Sequence, residues 1–390
     1  MLRLSKCAHL SVCFGGVVVI CILWLCSSGW CQTKAEAPPA EAHQIVLQTR
    51  PVKFQRPDTR RYRRSEPIQI NGDGDHLIEH LVFYPPAGRY AIRIDDHHQG
   101  HIIIRDCVFI GPKGAAVDGL QPGNGSGVLT WQTDHLVVED SYFEYIQGFC
   151  VRVMGGKDQP AIGIQVGNNR FYCLQAEFDE ALEWGWMADG VQFIRVGGAG
   201  NVIRGNICIN DPGKSYLTDF INVFCSSGTE RSPLLVSNNV LIGGGAGGLY
   251  NQYGCGIQLN DHLKDSDGGS YVTASGNLLI DPGIDGMNIN GGLHAYMTGN
   301  KILMSKSHRT NFGTGPVKQH PSWAGMTLYN WSGGISRDRG HIVRDNSVAF
   351  REVGGTAFIN KTNPPETVVE ANDWSAKLDW NRLIEQRVRR

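Results

Sequence analysis

NVIRGNICI at residues 201–209 and LLVSNNVLI at residues 234–242 follow one pattern: an apolar run, two polar residues, an Asn and a second apolar run. The pattern recurs at irregular intervals, at residues 77–83, 102–109, 136–143, 164–171, 271–280, 296–303, 341–350 and 368–374. A short motif repeated along a whole chain indicates stacked structural units rather than one globular core.

The Asn position of this repeat forms a column. Its members are Leu81, Cys107, Ser141, Asn169, Asn206, Asn239, Asn277, Asn300, Asn346 and Asn372. Asn tolerates left-handed backbone angles, so the column predicts a sharp bend between two strands. Stacked Asn side chains can also hydrogen-bond to one another along the column.

A second strand lies between successive bends and alternates strictly between apolar and polar residues, which predicts one buried face. It occupies residues 68–70, 92–94, 128–130, 151–153, 191–193, 221–223, 257–259, 287–289, 326–328 and 357–359. Coils that stack in chain order make parallel sheets, and the crossover preference makes the winding right-handed.

The predicted fold is therefore all-β: a right-handed single-stranded parallel β-helix of about ten coils over residues 67–374. A β-sandwich or propeller would show hairpin turns or a period of about 40 to 50 residues. Residues 375–390, which include the apolar and basic stretch LDWNRLIEQRVRR, predict a short helix that caps the last coil.

The composition excludes several classes of protein. The formal net charge of −1 gives no global attraction to nucleic acid or to anionic membranes. The 49 glycines and the 19% of charged residues favour many tight turns and argue against a helical bundle. Because no glycine-rich phosphate loop joins a strand to a helix, nucleotide and flavin binding find no support.

The N-terminus has the layout of an export signal, with Arg3 and Lys6 ahead of an apolar run and then small residues. We expect residues 1–31 to be a signal peptide, or alternatively a membrane anchor, and residues 32–66 to be a linker. The expected location is outside the cell or in the cell envelope. Beyond the N-terminal segment we expect no membrane contact, and a monomer is the expected state.

Six cysteines follow the signal region, at positions 107, 150, 173, 208, 225 and 255. They show neither a CxxC pair nor a regular spacing, so buried thiols, with one bridge at most, are favoured over a disulfide framework or a zinc site.

The segments GIQLN at 256–260 and GMNIN at 286–290 resemble the parallel β-helix repeats of the pectate-lyase-like superfamily. Residues 188–193 and 275–292 are similar to exported bacterial β-helix proteins of unassigned activity. The resemblance implies lyases, hydrolases or epimerases of acidic polysaccharides, or else tailspikes and adhesive proteins. A fold alone does not choose between these activities.

The outward positions of the alternating strands form a polar ladder: Arg152, Gln192, Asn222, Gln258, Asn288 and Thr327. Rungs about 4.8 Å apart make a groove of about 25 Å, which suits an extended polysaccharide. Amide ladders also stabilise β-helices without binding anything, and both interpretations stay open. Long loops at 172–189 and 304–324 carry Trp184, Trp186 and Trp323, which we expect to contact sugar rings.

The loop after Gln258 carries the candidates for β-elimination. In lyases of the superfamily the base is often Lys or Arg and the cation often Ca²⁺, which implies Lys264 or Arg195 as base, beside His262. Asp261, Asp265 and Asp267 would hold Ca²⁺. The sequence departs from the pectate lyase pattern because no motif fixes the conserved Arg of that family. A solvated acidic turn is the alternative.

Two further sets of residues have the composition of a site. Asp189 and Asp219 stand in adjacent coils, so the pair of carboxylates that a hydrolase needs is geometrically possible, although no hydrolase motif is recognisable and Asp before Gly is common at corners. Histidines and aspartates concentrate at 73–76, 95–101 and 134–135, where they could bind a metal, although His recurs before apolar strands in the manner of a corner residue.

We therefore expect an exported protein that acts on an extended, acidic polysaccharide, first as a β-elimination lyase. The alternatives are a non-catalytic glycan-binding or structural β-helix and a glycoside hydrolase.

Overall fold

The structure is a computed structural model of the 390-residue chain. It describes residues 52–85, 89–95, 97–111, 126–174, 178–179, 184–185, 188–211, 215, 217–243, 255–261, 269–282, 285–304, 324–328, 340–350, 356–360, 367–374, 382 and 386–389.

The described residues form a parallel β-helix with three ten-stranded sheets, as the repeat predicts. Sheet 1 contains His76–Glu79, Ile102–Arg105, Leu136–Glu139, Gln165–Gly167, Val202–Arg204, Leu234–Ser237, Ser270–Ser275, Leu293–Thr298, Ile342–Arg344 and Val368–Glu370. Sheet 2 contains Arg63–Ser65, Leu81–Phe83, Val108–Ile110, Tyr142–Glu144, Arg170–Tyr172, Ile207–Ile209, Val240–Ile242, Leu278–Ile280, Lys301–Met304 and Ser347–Phe350. Sheet 3 contains Ile68–Ile70, Tyr90–Ile94, Ser126–Trp131, Phe149–Met154, Asp189–Ile194, Asp219–Phe224, Cys255–Asp261, Asp285–Ile289, Ala324–Leu328 and Thr356–Asn360.

One continuous apolar core fills the space between the sheets. In the first coils, phenylalanine rings from sheet 2 stack in a column inside this core. The ring centroids are 5.0 Å apart between Phe83 and Phe109, 4.4 Å between Phe109 and Phe143, and 5.1 Å between Phe143 and Phe171. Burial of these side chains stacks each coil on its neighbour, which is how a repeat too small to fold alone gains stability.

The Asn column stands at the corner between sheets 1 and 2, as predicted, but the reason given for Asn is wrong. The left-handed residue is the one before it: for example, Asn168 (φ 55°), Asn238 (φ 55°) and Gly276 (φ 62°) precede Asn169, Asn239 and Asn277. The column Asn side chains are instead buried and hydrogen-bonded from coil to coil. Asn is needed here because its amide both donates and accepts.

The first and last described strands lie along the outer face of sheet 2. Val52–Lys53 pairs in parallel with Val388–Arg389, and Phe54 and Val388 pack on an apolar patch of this face, formed by Ile207, Ile209, Val240, Ile242, Leu278, Ile280, Leu303 and Ala349. Arg387 donates to the Asn238 side chain (3.4 Å) and to the Gly276 carbonyl (3.3 Å).

These contacts correct two predictions at the ends of the domain. The described part of segment 375–390 ends in a strand, Val388–Arg389, that packs on the apolar patch of sheet 2; the rest of the predicted capping helix lies mostly outside the described residues. No α-helix is complete within the described residues. The first coil also begins before residue 67, since Arg63–Ser65 pairs with Leu81–Phe83 in sheet 2.

Shortening Val388 should loosen this attachment. The Val388 side chain is 3% exposed, and Val388→Ala removes two buried methyl groups at about 0.8 kcal/mol each. We expect the free energy of unfolding to fall by about 1.5 kcal/mol, measured by denaturant titration. The same change at Val369, which is 39% exposed, should cost less than about 0.5 kcal/mol; equal costs would contradict the packing of the C-terminal strand.

Within the described residues each of the six cysteines is a free thiol, and all but Cys225 are buried. This agrees with the prediction of buried thiols. A search of the described chain for a helix long and apolar enough to span a bilayer found none.

Candidate functional site

The predicted polar ladder lies in register on sheet 3. Each rung is the direct partner of the next, from Arg152 through Gln192, Asn222, Gln258 and Asn288 to Thr327. The apolar Leu129 precedes Arg152 and Ile359 follows Thr327. The alternation of the strands was therefore sufficient to place six side chains, far apart in the sequence, in one row.

The expectation of a solvent-facing groove is wrong for most of this row. Gln192, Asn222 and Thr327 are each 3% exposed and Asn288 is 4% exposed, while Arg152 and Gln258 are partly exposed. The row is therefore buried in two stretches, Gln192 with Asn222 and Asn288 with Thr327, and Gln258 between them is partly exposed. A strict alternation identifies the face on which a side chain lies, but not what lies over that face.

Several buried atoms of the ladder have no hydrogen-bond partner within the described part of the chain. They are Arg152 Nε, Gln192 Oε1, Asn222 Oδ1, Asn288 Oδ1 and Thr327 Oγ1. A buried polar group without a partner costs about 1–3 kcal/mol. A row of them is unusual in a native protein and points to a ligand or bound water that supplies the missing bonds.

A second polar column stands at the start of the sheet 3 strands and orients the ladder. The Asp189 carboxylate accepts from Gln192 Nε2 (2.9 Å) and from the Asp219 backbone amide (3.2 Å). The Asp219 carboxylate accepts from Asn222 Nδ2 (2.9 Å) and, on the next coil, from Gln258 Nε2 (3.1 Å). Because the carboxylates accept hydrogen bonds from the NH₂ groups of Gln192 and Asn222, the side-chain oxygens of these two residues remain as free acceptors.

The sequence predicted only part of this column of aspartates. Asp189 and Asp219 are confirmed as direct neighbours, with exposures of 0% and 2%, but their bonds to the ladder were missed. The signal was present in the sequence: Asp stands three residues before an amide in DGVQ at 189–192, DFIN at 219–222 and DGMN at 285–288.

Cys255 interrupts the acidic column, being paired with Asp219. Burial, with the charges of Asp219 and Asp285, raises the pKa of the Cys255 thiol well above its usual value. Burial likewise raises the pKa of Cys150. Both thiols are therefore protonated at neutral pH and are not nucleophiles.

Arg152 is the one cation of the ladder. Its guanidinium carbon lies 4.1 Å from the centre of the Phe149 ring on the same strand, a cation–π contact that holds the side chain across the sheet. A fixed positive charge at the end of a row of amides suits an anionic group of a ligand.

The remaining predicted site residues are largely outside the described residues. His262, Lys264, Asp265, Asp267, Trp186 and Trp323 lie there entirely. The backbones of Asp261 and Trp184 are described; Asp261 ends a sheet 3 strand opposite Phe224, and Trp184 belongs to a small hairpin with Phe178–Asp179. Arg195 is exposed, directly after the strand Asp189–Ile194 and at the end of that strand away from Asp189.

No three His, Cys, Asp or Glu side chains are grouped to hold a metal ion in the described part of the chain. The predicted Ca²⁺ ligands Asp265 and Asp267, and the side chain of Asp261, are not among the described groups.

His341, at the corner before the sheet 1 strand Ile342–Arg344, is buried and neutral, and its titration should be measurable. Burial, and then the charge of His294, lower the pKa of His341 to about 4, and its Nδ1 accepts from the Ala295 amide (3.2 Å). The unfolded chain, with an ordinary His pKa of about 6.5, then binds a proton that the folded chain does not. Stability is complete above pH 6.5, and we expect about 3 kcal/mol to be lost as the pH falls to about 4.

Denaturant titrations from pH 7 to pH 4 would measure this loss. His341→Asn keeps an acceptor at the position of Nδ1 for the Ala295 amide but cannot titrate, so the slope of stability against pH should flatten by about one proton. An unchanged slope in this variant would show that other groups cause the loss.

No protein-family model matches this chain, and no curated protein matches it significantly in sequence. A search of solved structures found an alginate lyase from Paenibacillus sp. str. FPU-7 at 12% identity, covering 75% of this chain and 80% of that chain with a TM-score of 0.43. The three sheets of this chain themselves establish the parallel β-helix fold.

Proposed function

We propose that this protein is exported and that it binds an extended, acidic polysaccharide along sheet 3 and cleaves it by β-elimination, as lyases of the pectate-lyase-like superfamily do. The observation that carries the proposal is the row of buried ladder atoms without partners, at Arg152, Gln192, Asn222, Asn288 and Thr327. The hydroxyl groups of a sugar chain donate and accept hydrogen bonds at repeated intervals, and sheet rungs repeat about every 4.8 Å.

The charges on sheet 3 explain why an acidic polymer would need a cation. The Asp189 and Asp219 carboxylates lie beside the ladder and would repel a uronate carboxylate. Arg152 offsets this at one end, and a bound Ca²⁺ would do so elsewhere. The cation would also stabilise the charge that develops when the proton beside the uronate carboxyl is removed. Lys264 or Arg195 would be the base that takes that proton; the glycosidic C–O bond on the neighbouring carbon then breaks, a C=C bond forms, and the departing sugar oxygen takes a proton from water.

Gln192, Asn222, Asn288 and Thr327 are buried, whereas Arg152 and Gln258 are partly exposed. We therefore expect the polymer to contact Arg152 and Gln258 first.

A screen against alginate, pectate and glycosaminoglycans tests the chemistry. New ultraviolet absorbance of the unsaturated product, dependent on Ca²⁺, is the expected result, and loss of the signal in only one of Lys264→Ala and Arg195→Ala identifies the base. Absence of product from all of these polymers would overturn the lyase assignment.

The second candidate is a non-catalytic glycan-binding protein. It is favoured by the bonds of Gln192 and Asn222 to Asp189 and Asp219, because these bonds fix the ladder as a rigid surface without a free acid or base. Oligosaccharide binding without product, and unaffected by Lys264→Ala, would favour this candidate.

A further inference from the structure

The corner of the first two coils brings His76 and His98 together. Two aspartates of the loop before His76 fix the backbone of the following coil: Asp73 accepts from the Gln99 amide (2.7 Å) and Asp75 from the His101 amide (2.8 Å). The His76 amide itself donates to the His101 carbonyl (2.8 Å). The two imidazoles are therefore carried by backbone that is held in place independently of them.

Three of the four ring nitrogens of this histidine pair are buried and make no hydrogen bond of good geometry in the described structure. They are Nδ1 and Nε2 of His98, which is 2% exposed, and Nε2 of His76; the backbone of Gly74 also acts on the His98 ring. A neutral imidazole carries one donor and one acceptor, and buried ones are normally satisfied.

The geometry of the pair differs from that of the neighbouring histidine corner. His101 and His135 are stacked, with centroids 4.8 Å apart and planes at 24°. The His76 and His98 rings are 5.4 Å apart and inclined at 54°. Two imidazoles on one tetrahedral ion, with metal–nitrogen distances of about 2.0–2.1 Å, have centroids about 5 Å apart.

We propose that His76 and His98 bind one divalent transition-metal ion of the Zn²⁺, Ni²⁺ or Cu²⁺ type. Imidazole nitrogen suits these ions, whereas Ca²⁺ and Mg²⁺ prefer oxygen. The chain supplies two ligands and water supplies the rest. The nearby Asp73 carboxylate, whose charge acts on His98, favours a cation there. The site is separate from the ladder and does not depend on the proposed activity.

Calorimetric titration of the full chain, without a polyhistidine tag, tests the proposal with ZnCl₂, NiCl₂ and CaCl₂. We expect saturable binding of one Zn²⁺ or one Ni²⁺ per chain at this corner, and any Ca²⁺ binding elsewhere on the chain should be unchanged by His98→Gln. His98→Gln should weaken Zn²⁺ binding at least tenfold. The matched control is His97→Asn, since His97 is adjacent and exposed and has a left-handed backbone (φ 62°) that Asn accepts.

Because His98 is buried, its replacement can unfold the corner; His76→Gln, at a partly exposed position, then gives the same test. The proposal is overturned if neither Zn²⁺ nor Ni²⁺ saturates near one ion per chain, or if folded His76→Gln binds as tightly as the unaltered protein. Loss of binding in His97→Asn alone would also overturn it.

Discussion

Asp219→Ala should weaken the binding of a uronate oligosaccharide by about 100-fold. The Asp219 carboxylate holds Asn222 Nδ2 at 2.9 Å and Gln258 Nε2 at 3.1 Å, so it orients two successive rungs of the ladder. Each released amide side chain must be ordered again when the ligand binds, at about 0.5–1.5 kcal/mol. Two amides therefore cost up to about 3 kcal/mol, which corresponds to about 100-fold in the dissociation constant.

Asp95→Ala is the matched control. Asp95 lies at the opposite end of a sheet 3 strand, directly after Tyr90–Ile94, and its carboxylate likewise accepts from two side chains, Gln69 Nε2 (2.5 Å) and Arg93 Nε (2.7 Å). It lies in the second coil, before the polar part of the ladder, and should change binding less than twofold. Calorimetry with the oligomer found in the polymer screen, on variants with unchanged circular dichroism, gives the comparison. If folded Asp219→Ala bound normally, sheet 3 would not be the binding face.

The site shows how far sequence reasoning reaches in a β-helix. Gln192 and Asn222 were placed side by side from two short alternating strands, because the register of a parallel sheet follows once the coils are aligned. Their burial was not foreseen, since the loops that decide it vary in length and have no repeat. The chemistry assigned to Lys264 rests on such a loop and stays a prediction.

The fold was the more predictable part because each coil repeats the same physical requirement. Burying Phe109 against Phe143 needs apolar residues at matching positions of successive coils, and such matches are visible in sequence. The sequence pattern predicted the left-handed residue at the Asn column, one position after the residue that has this conformation. Asn238 and Asn239 are neighbours of the same type, and composition does not tell which of them turns the chain and which faces inward.

Asn239→Leu should lower the free energy of unfolding by about 5 kcal/mol. The Asn239 side chain is fully buried and makes four hydrogen bonds. Its Nδ2 donates to the Ile203 carbonyl (3.1 Å) and Asn277 Oδ1 (3.1 Å), and its Oδ1 accepts from the amide and Nδ2 of Asn206 (both 3.0 Å). Leu has a similar volume but no polar atom, so several buried groups lose their partners at about 1–3 kcal/mol each.

A Ser at the same position should be tolerated better, and the column itself gives the reason. Ser141 occupies the equivalent place three coils earlier, where its Oγ accepts from the Cys107 amide (3.1 Å) and donates to the Glu139 carbonyl (3.0 Å). Asn239→Ser can therefore recover one donor and one acceptor bond and should cost about half as much as Asn239→Leu.

Denaturant titration of both variants, with the exposed Asn71→Ala as control, distinguishes the hydrogen bonds of the column from the packing of the core. If volume alone mattered, Leu would be the milder change and Ser, which leaves a cavity, the worse one. The expected order is the opposite, with Asn71→Ala within about 0.5 kcal/mol of the unaltered protein. The order of the two variants at residue 239 thus decides whether the buried amides or the apolar core hold successive coils in register.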